Sequence, residues 1–399
     1  MIEKTKVNDL ITLISLRKKD KLLSKSAYLN EDLISKAYNI NNIGLNDSVL
    51  VIDSVEVLPY LYRNGITDVT YIQYSKISDE KIPTTDMLGY SYINISNKRE
   101  LGKLKMSKKF DVILSNPSYS SNTDKTFFNT AFEYLNDGGT MSVIQPSRPI
   151  TFACDEPSDD DKTMRNIVEN NESAIKLIAP TEVENFYLFY LLTCTTIKKN
   201  ASEFKGVNEF TDLSGNVYNN VDVNDINFID IDPDVYRSMV GKIEALVNQY
   251  GSLSNVVFAN KGEHIDDNKK VLRLSANRGN YGTDKGNGYK RSSTFFTWCP
   301  VINEDGVPIY KRSIGKDFGI IIDKDIDEKD AYTYFTSYFA RFCMALGKNS
   351  HRVLGSKCID TTPNMITNKA WTDAELFEAA GFTDEEITAV YNIIPKFYQ

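Results

Sequence analysis

Phe110-Asp111-Val112-Ile113-Leu114-Ser115-Asn116-Pro117-Ser118-Tyr119 joins an apolar, β-branched run to a turn dipeptide and an aromatic ring. Four of its first five residues are apolar, as in a parallel strand covered on both faces. Asn-Pro then breaks the strand. Working outward, Ser48-Val49-Leu50-Val51-Ile52-Asp53, Val69-Thr70-Tyr71-Ile72 and Tyr92-Ile93-Asn94-Ile95 repeat the strand signal. Between Asp124 and Leu135, Phe128, Ala131, Phe132 and Leu135 recur at helical spacing. Asn136-Asp137-Gly138-Gly139 reads as a turn, followed by a strand at Thr140-Met141-Ser142-Val143-Ile144. Strands separated by helical stretches predict right-handed βαβ units and a mainly parallel, Rossmann-like α/β sheet. In such a sheet ligands bind beyond the carboxyl ends of the strands, which is where Asn116 to Tyr119 falls.

The rest of the chain extends this reading. Helices are expected over 162–170 and 233–250, short strands over 174–178 and 186–197, and a turn-laden connector over 214–232. Phe335, Tyr338, Phe339, Phe342 and Leu346 form one stripe of an expected helix over 329–346, read as core. Thr372 with Glu375 and Thr383 with Glu386 are capping boxes of a closing helical hairpin. The expected organisation is an α/β domain over 1–200 and an α+β region over 201–399.

Composition narrows the function. The 399 residues are 41% hydrophobic and 25% charged, an ordinary globular balance. No run reaches the ~18 apolar residues of a membrane span, and Met1-Ile2-Glu3-Lys4-Thr5-Lys6 is too polar for a signal peptide. The expectation is a cytoplasmic protein with no membrane partner. Five scattered cysteines without a Cys-x-x-Cys pair, and two isolated histidines (His264 and His351), offer neither a disulfide framework nor a metal centre. The carboxylates from Asp155 to Asp161 read as a solvated Pro/Ser loop rather than a magnesium site.

The formal charge of −8 hides an asymmetry: residues 268–316 carry a net +7 and the remainder −15. Within that segment Lys269, Lys270, Arg273, Arg278, Lys285, Lys290 and Arg291 alternate with Tyr281, Tyr289, Phe295 and Trp298. Basic side chains in Gly/Asn-rich loops can follow a phosphate backbone, and an arginine among them can read guanine. The plain alternative is a flexible, solvated loop.

The strand-end motif carries a specific chemistry. An amide oxygen at Asn116 and a carbonyl at Pro117 can accept hydrogen bonds from one exocyclic amine, and Tyr119 offers a ring on which an extruded base can stack. Asn-Pro-Ser-Tyr resembles the Asn-Pro-Pro-Tyr signature of S-adenosylmethionine-dependent amino-methyltransferases. The helix, Gly-Gly pair and strand to Pro146-Ser147 that follow resemble the adenine-N6 DNA methyltransferases of restriction-modification systems. Residues 370–388 resemble the closing segment of that family.

The resemblance implies a Rossmann-like methyltransferase sheet followed by a target-recognition region on double-stranded DNA. It also implies S-adenosylmethionine as cofactor, with Tyr28, Asp53 and Gln73 among its contacts. The cofactor side departs from the family pattern: Asp53 is followed by no glycine before Gly65, Gln73 replaces a carboxylate, and Tyr28-Leu29-Asn30 replaces Phe-Thr-Pro. Such departures suit a divergent enzyme of a virus or mobile element. They also suit a silent relative that binds DNA or assembles with a protein partner without methylating, and methylation of a protein or RNA amide is a third course.

Overall fold

The computed structural model describes residues 31–74, 88–96, 98–101, 103–104, 106, 108–117, 119, 123–146, 157–178, 192–200, 203–226, 231–258, 268–276, 296–300, 317–346 and 359–394. The chain divides into two compact units, one of residues 1–152 and 157–224, the other of 153–156 and 225–399.

The first unit is built on a nine-stranded sheet. Its strands are β1 (Val49–Ile52), β2 (Val69–Tyr74), β3 (Ser91–Ile95), β4 (Phe110–Ser115), β5 (Leu135–Pro146), β6 (Glu172–Ile178), β7 (Leu192–Lys198), β8 (Gly206–Thr211) and β9 (Val217–Val221). They lie in the order β3-β2-β1-β4-β5-β7-β6-β8-β9. The first five strands are mutually parallel, whereas β7 runs antiparallel to both β5 and β6. This is the expected Rossmann-like α/β sheet. The order reverses between β1 and β4, so the chain leaves these two neighbouring strands in opposite directions, the position at which ligands bind in open α/β sheets. Helices α1 (Glu31–Tyr38), α2 (Leu58–Arg63), α3 (Thr123–Glu133) and α4 (Asp159–Asn170) accompany the strands. Leu33, Ile34, Tyr38, Val49, Val51, Leu58, Leu61 and Leu114 share one buried core.

Several local expectations are corrected. The first unit reaches Asn224 rather than about 200, because β8 and β9 add to the same sheet. The stretch expected as a connector therefore holds a strand: the Asp212 carboxylate accepts from the Asn216 backbone and side-chain nitrogens at 2.8 and 2.9 Å, and Gly215 takes a φ of 86°, closing a β8–β9 hairpin. The Gly-Gly pair is not a turn before β5 but an irregularity within it. Pairing with β4 jumps from Phe110–Leu135 to Val112–Thr140, and Gly138 and Gly139 bond to Lys199 at the end of β7. Asp159 to Asp161 form the first turn of α4 rather than a loop, with Asp159 solvated as expected and Asp161 buried, while Asp155 and Glu156 lie outside the described residues. Ser158 and Asp161 make a capping box, and negative charge is favoured at a helix N-terminus.

The second unit contains α5 (Pro233–Tyr250), with the expected bounds, capped by the Asp232 side chain and followed by Gly251. Beside it is a four-stranded antiparallel sheet of β10 (Val257–Phe258), β11 (Lys269–Ala276), β12 (Phe296–Pro300) and β13 (Asp317–Asp323), in the order β10-β13-β11-β12. The single aromatic helix is in fact two, α6 (Glu328–Thr336) and α7 (Tyr338–Leu346). Ser337 is extended and its hydroxyl oxygen accepts from the Ala340 nitrogen at 3.0 Å, which caps the second helix. The stripe is core as expected, with Phe335, Phe339 and Phe342 buried. Both C-terminal capping boxes form, opening α8 (Asp373–Ala380) and α9 (Asp384–Ile393). Lys242 and Ser238 of α5 hold Glu386 of α9 at 2.7 Å each.

The two glycines Gly139 and Gly241 should respond oppositely to alanine. A Cβ at Gly139 would lie 2.8 Å from the Asp111 carbonyl oxygen, whereas one at Gly241, within α5, would meet nothing within 4 Å. Gly139→Ala should cost about 1–3 kcal/mol, and Gly241→Ala should add about 0.5–1 kcal/mol. Denaturant midpoints of the two variants check both signs.

Candidate functional site at the strand ends

Asn116 follows β4 at the reversal point, and its backbone nitrogen donates to the Ile52 carbonyl of β1 at 3.2 Å. The strand ends of β1 and β4 are thus stitched together at the first residue of the Asn-Pro-x-Tyr motif. Its side chain is 0% exposed and both of its amide ends are bonded: Nδ2 donates to Glu56 Oε1 at 3.2 Å, and Oδ1 accepts from the Tyr119 hydroxyl at 2.6 Å. Pro117 is also buried. The Tyr119 ring is partly buried against the core of β1, α1 and α2. In this arrangement the tyrosine hydroxyl sits at the acceptor that an incoming amine would need.

Glu56 is a partner of the motif that the sequence reading did not single out. It is 4% exposed and belongs to the short 3₁₀ turn Val55–Val57 after β1. The available signal was a lone acid inside the apolar run Val55-Glu56-Val57-Leu58, since a charged residue is rarely buried without a partner. Tyr38 of α1 lies close by, its hydroxyl donating to the Ser115 carbonyl at 3.0 Å and lying 3.4 Å from Ser54 Oγ. Burial, and then the Glu56 carboxylate, push the Tyr38 hydroxyl well above its ordinary pKa, so it stays a donor.

The cofactor-side residues also find places. Asp53 closes β1 with a φ of 56°, taking the left-handed conformation that a glycine would otherwise supply. Its nitrogen donates to the Ile72 carbonyl at 2.8 Å, which ties the turn to β2. Val55, Val57 and Leu58 turn inward and join the core with Val49, Val51 and Leu61. Gln73 is buried near the end of β2 and accepts from the Tyr92 hydroxyl at 2.8 Å. Ile52 and Ile72 pair directly, so Asp53 and Gln73 follow on adjacent strands. A carboxylate that accepts from hydroxyl groups and an amide that both accepts and donates, at the ends of neighbouring strands, are of the chemical types that suit the nucleoside part of S-adenosylmethionine. Tyr28 lies outside the described residues.

The basic segment is only partly described. Lys269, Lys270 and Arg273 lie on β11, where Lys269 pairs with Asp323 of β13 and is ion-paired to it. Arg278, Lys285, Lys290 and Arg291 lie outside the described residues. A cavity of about 740 Å³ opens along the sheet, lined by Tyr38, Asp111, Ser142, Lys176, Thr196 and Glu209 among others. The described residues include no cluster of His, Cys, Asp and Glu able to hold a metal ion, and no helix long and apolar enough to cross a membrane.

No protein-family profile matches the chain, and no curated protein sequence is recognisably similar to it. Solved structures that resemble it include an O-methyltransferase from Bacillus cereus in complex with SAH, at 10% identity and a TM-score of 0.35 over 50% of this chain and 93% of that one. The M protein of the type I restriction enzyme EcoKI matches at 12% identity and a TM-score of 0.31, over 48% of this chain and 49% of its own. TrmN from Thermus thermophilus matches at 13% identity and a TM-score of 0.29, over 42% and 48%. The chain thus spans about half the length of the last two. At these scores the likeness decides neither fold nor function, and the Rossmann-like sheet is read from the strand order alone.

Just beyond the motif, Asp124 in the first turn of α3 is buried, and loss of hydration pushes its carboxyl up to about 6. A folded-state pKa above the unfolded value means that the native state binds the proton more tightly between pH 4 and 6. Stability should therefore rise as pH falls through that window. Asp124→Asn should flatten this slope and add about 1–3 kcal/mol at pH 7, measurable by denaturant titration across pH.

Proposed function

We propose that the chain is an S-adenosylmethionine-dependent methyltransferase acting on the N6 amine of an adenine flipped out of double-stranded DNA. The observation that carries this reading is the seating of Asn116-Pro117-x-Tyr119 at the β1/β4 reversal point. That is the one place in such a sheet where a ligand meets the ends of both strands. When bound there, S-adenosylmethionine supplies a methyl group on a positively charged sulfur. Asp53 and Gln73 would hold its nucleoside part. Asn116 Oδ1 and the Pro117 carbonyl accept the two amine hydrogens, which turns the nitrogen lone pair away from them. Tyr119 swings its hydroxyl off Asn116 and offers its ring to the base, since flipped bases are commonly stacked on aromatic side chains. Closing the site around buried groups excludes water and strengthens these hydrogen bonds. The target-recognition role falls to the second unit, whose segment 268–316 carries the net positive charge expected on a DNA-facing surface.

A second reading is favoured by one specific observation. Both ends of the Asn116 amide are already engaged within the chain, Nδ2 by Glu56 and Oδ1 by Tyr119. A methyltransferase-fold subunit that binds DNA or a protein partner, and no longer binds the cofactor, would keep such a sealed network.

Two measurements separate the readings. Calorimetric titration with S-adenosylmethionine, with and without DNA, should give saturable heat for the enzyme and none for the silent subunit. Asn116→Ala should lower methyl transfer by at least about 100-fold, the scale of losing a positioned group at the reacting centre, while leaving DNA affinity within about twofold. Turnover retained in that variant would rule out the proposed mechanism.

A further inference from the structure

We infer that Glu56 is a positioning residue that fixes which end of the Asn116 amide faces the substrate; the inference rests on the methylation reading above. An asparagine amide has two ends of nearly equal shape and opposite hydrogen-bonding sense. Only the oxygen can accept from an exocyclic amine, because a nitrogen turned that way would set donor against donor. A carboxylate acceptor at Glu56 Oε1, 3.2 Å from Nδ2, draws the NH₂ end toward itself and turns Oδ1 to the opposite side. There the Tyr119 hydroxyl donates at 2.6 Å, standing where the amine hydrogen would come. The three side chains thus alternate as acceptor, donor-with-acceptor, and donor. With Glu56 at 4% exposure and Asn116 at 0%, water competes little for either end of the amide, and mismatching donor with donor is costly.

The backbone holds both partners in place. Asn116 is bonded to Ile52, and Glu56 lies four residues beyond Ile52 in the turn that the left-handed Asp53 begins. Carboxylate and amide are therefore referred to the same strand end, and the spacing between them does not depend on a long loop. The turn that departs from the glycine-rich pattern has in this way gained a residue acting behind the motif.

The test compares the full-length protein with E56A and E56Q. Methyl transfer is followed with labelled S-adenosylmethionine on unmethylated genomic DNA, and cofactor affinity by calorimetry. E56A should lower kcat on the order of 10–100-fold, the range for groups that orient a reacting residue from behind, with cofactor Kd changed less than about twofold. E56Q should lose less, about two- to tenfold, because its side-chain oxygen can still accept from Nδ2. The Asn116 side-chain amide protons, identified by their absence in N116A, should be protected from exchange in the wild type and in E56Q and unprotected in E56A. A kcat for E56A within twofold of wild type, a loss in E56Q equal to that in E56A, or tighter cofactor binding on truncation would overturn the inference. The last result would make Glu56 a plug. If the wild type transfers no methyl group, the methylation reading fails by itself, and the exchange measurement still decides whether Glu56 holds Asn116. Should E56A not fold, E56Q alone decides, an unchanged kcat overturning the proposal.

Discussion

A primary amide taken out of water must find both a donor and an acceptor or forfeit much of the energy of its burial, and the strand-end site is organised around that requirement at Asn116. Its partners come from different parts of the chain: Glu56 from the turn after β1 and Tyr119 from the segment after β4. The backbone bond from Asn116 to Ile52 sets the distance between those segments. Parallel strands deliver their carboxyl ends to one edge, so residues some sixty positions apart meet without any long excursion of the chain.

The same logic explains how the rest of the first unit keeps its polar groups. At the opposite edge Asp111 accepts from the nitrogen and hydroxyl of Ser48 at 3.0 and 2.8 Å, and from Asn136 at 2.8 Å. These bonds, the Ser48 backbone first, hold its carboxyl below the ordinary range and join the starts of β1, β4 and β5. On the helix side, Asp161 is buried, which alone would raise its pKa. Lys125 at 2.7 Å and the Ser158 cap outweigh that and lower it. An ion pair this enclosed ties α3 to α4, because removing either partner would strand the other charge.

The parallel core of the sheet, the helix Pro233–Tyr250, both C-terminal capping boxes and the position of the Asn-Pro-x-Tyr motif at a strand end were legible in the amino-acid order. These depend on short-range patterns: apolar runs, Pro and Gly at helix ends, and Thr with Glu three residues on. What escaped depends on partners distant in sequence or on caps hidden within an acidic or aromatic run. Gly138 and Gly139 suggest a turn until Lys199 and the neighbouring strands β4 and β7 absorb them into β5. Asp161 looks solvated, as Asp159 is, until Ser158 and Lys125 are seen to hold it. Ser337 sits within a continuous aromatic stripe, and only its hydroxyl bond to Ala340 reveals that it divides two helices.

For the site, the amino-acid order by itself determined that an amide, a proline and an aromatic ring stand at the end of a buried strand, since hydrophobic periodicity and turn chemistry are local. It also determined that the turn after β1 lacks glycine. Tertiary structure alone decided how that turn is made, by Asp53 in the left-handed region, and that Glu56 rather than the neighbouring valines reaches Asn116. The physical reason is that an amide declares its donor and acceptor ends only through the groups facing it. Here those groups are brought together by strand order, not by proximity along the chain.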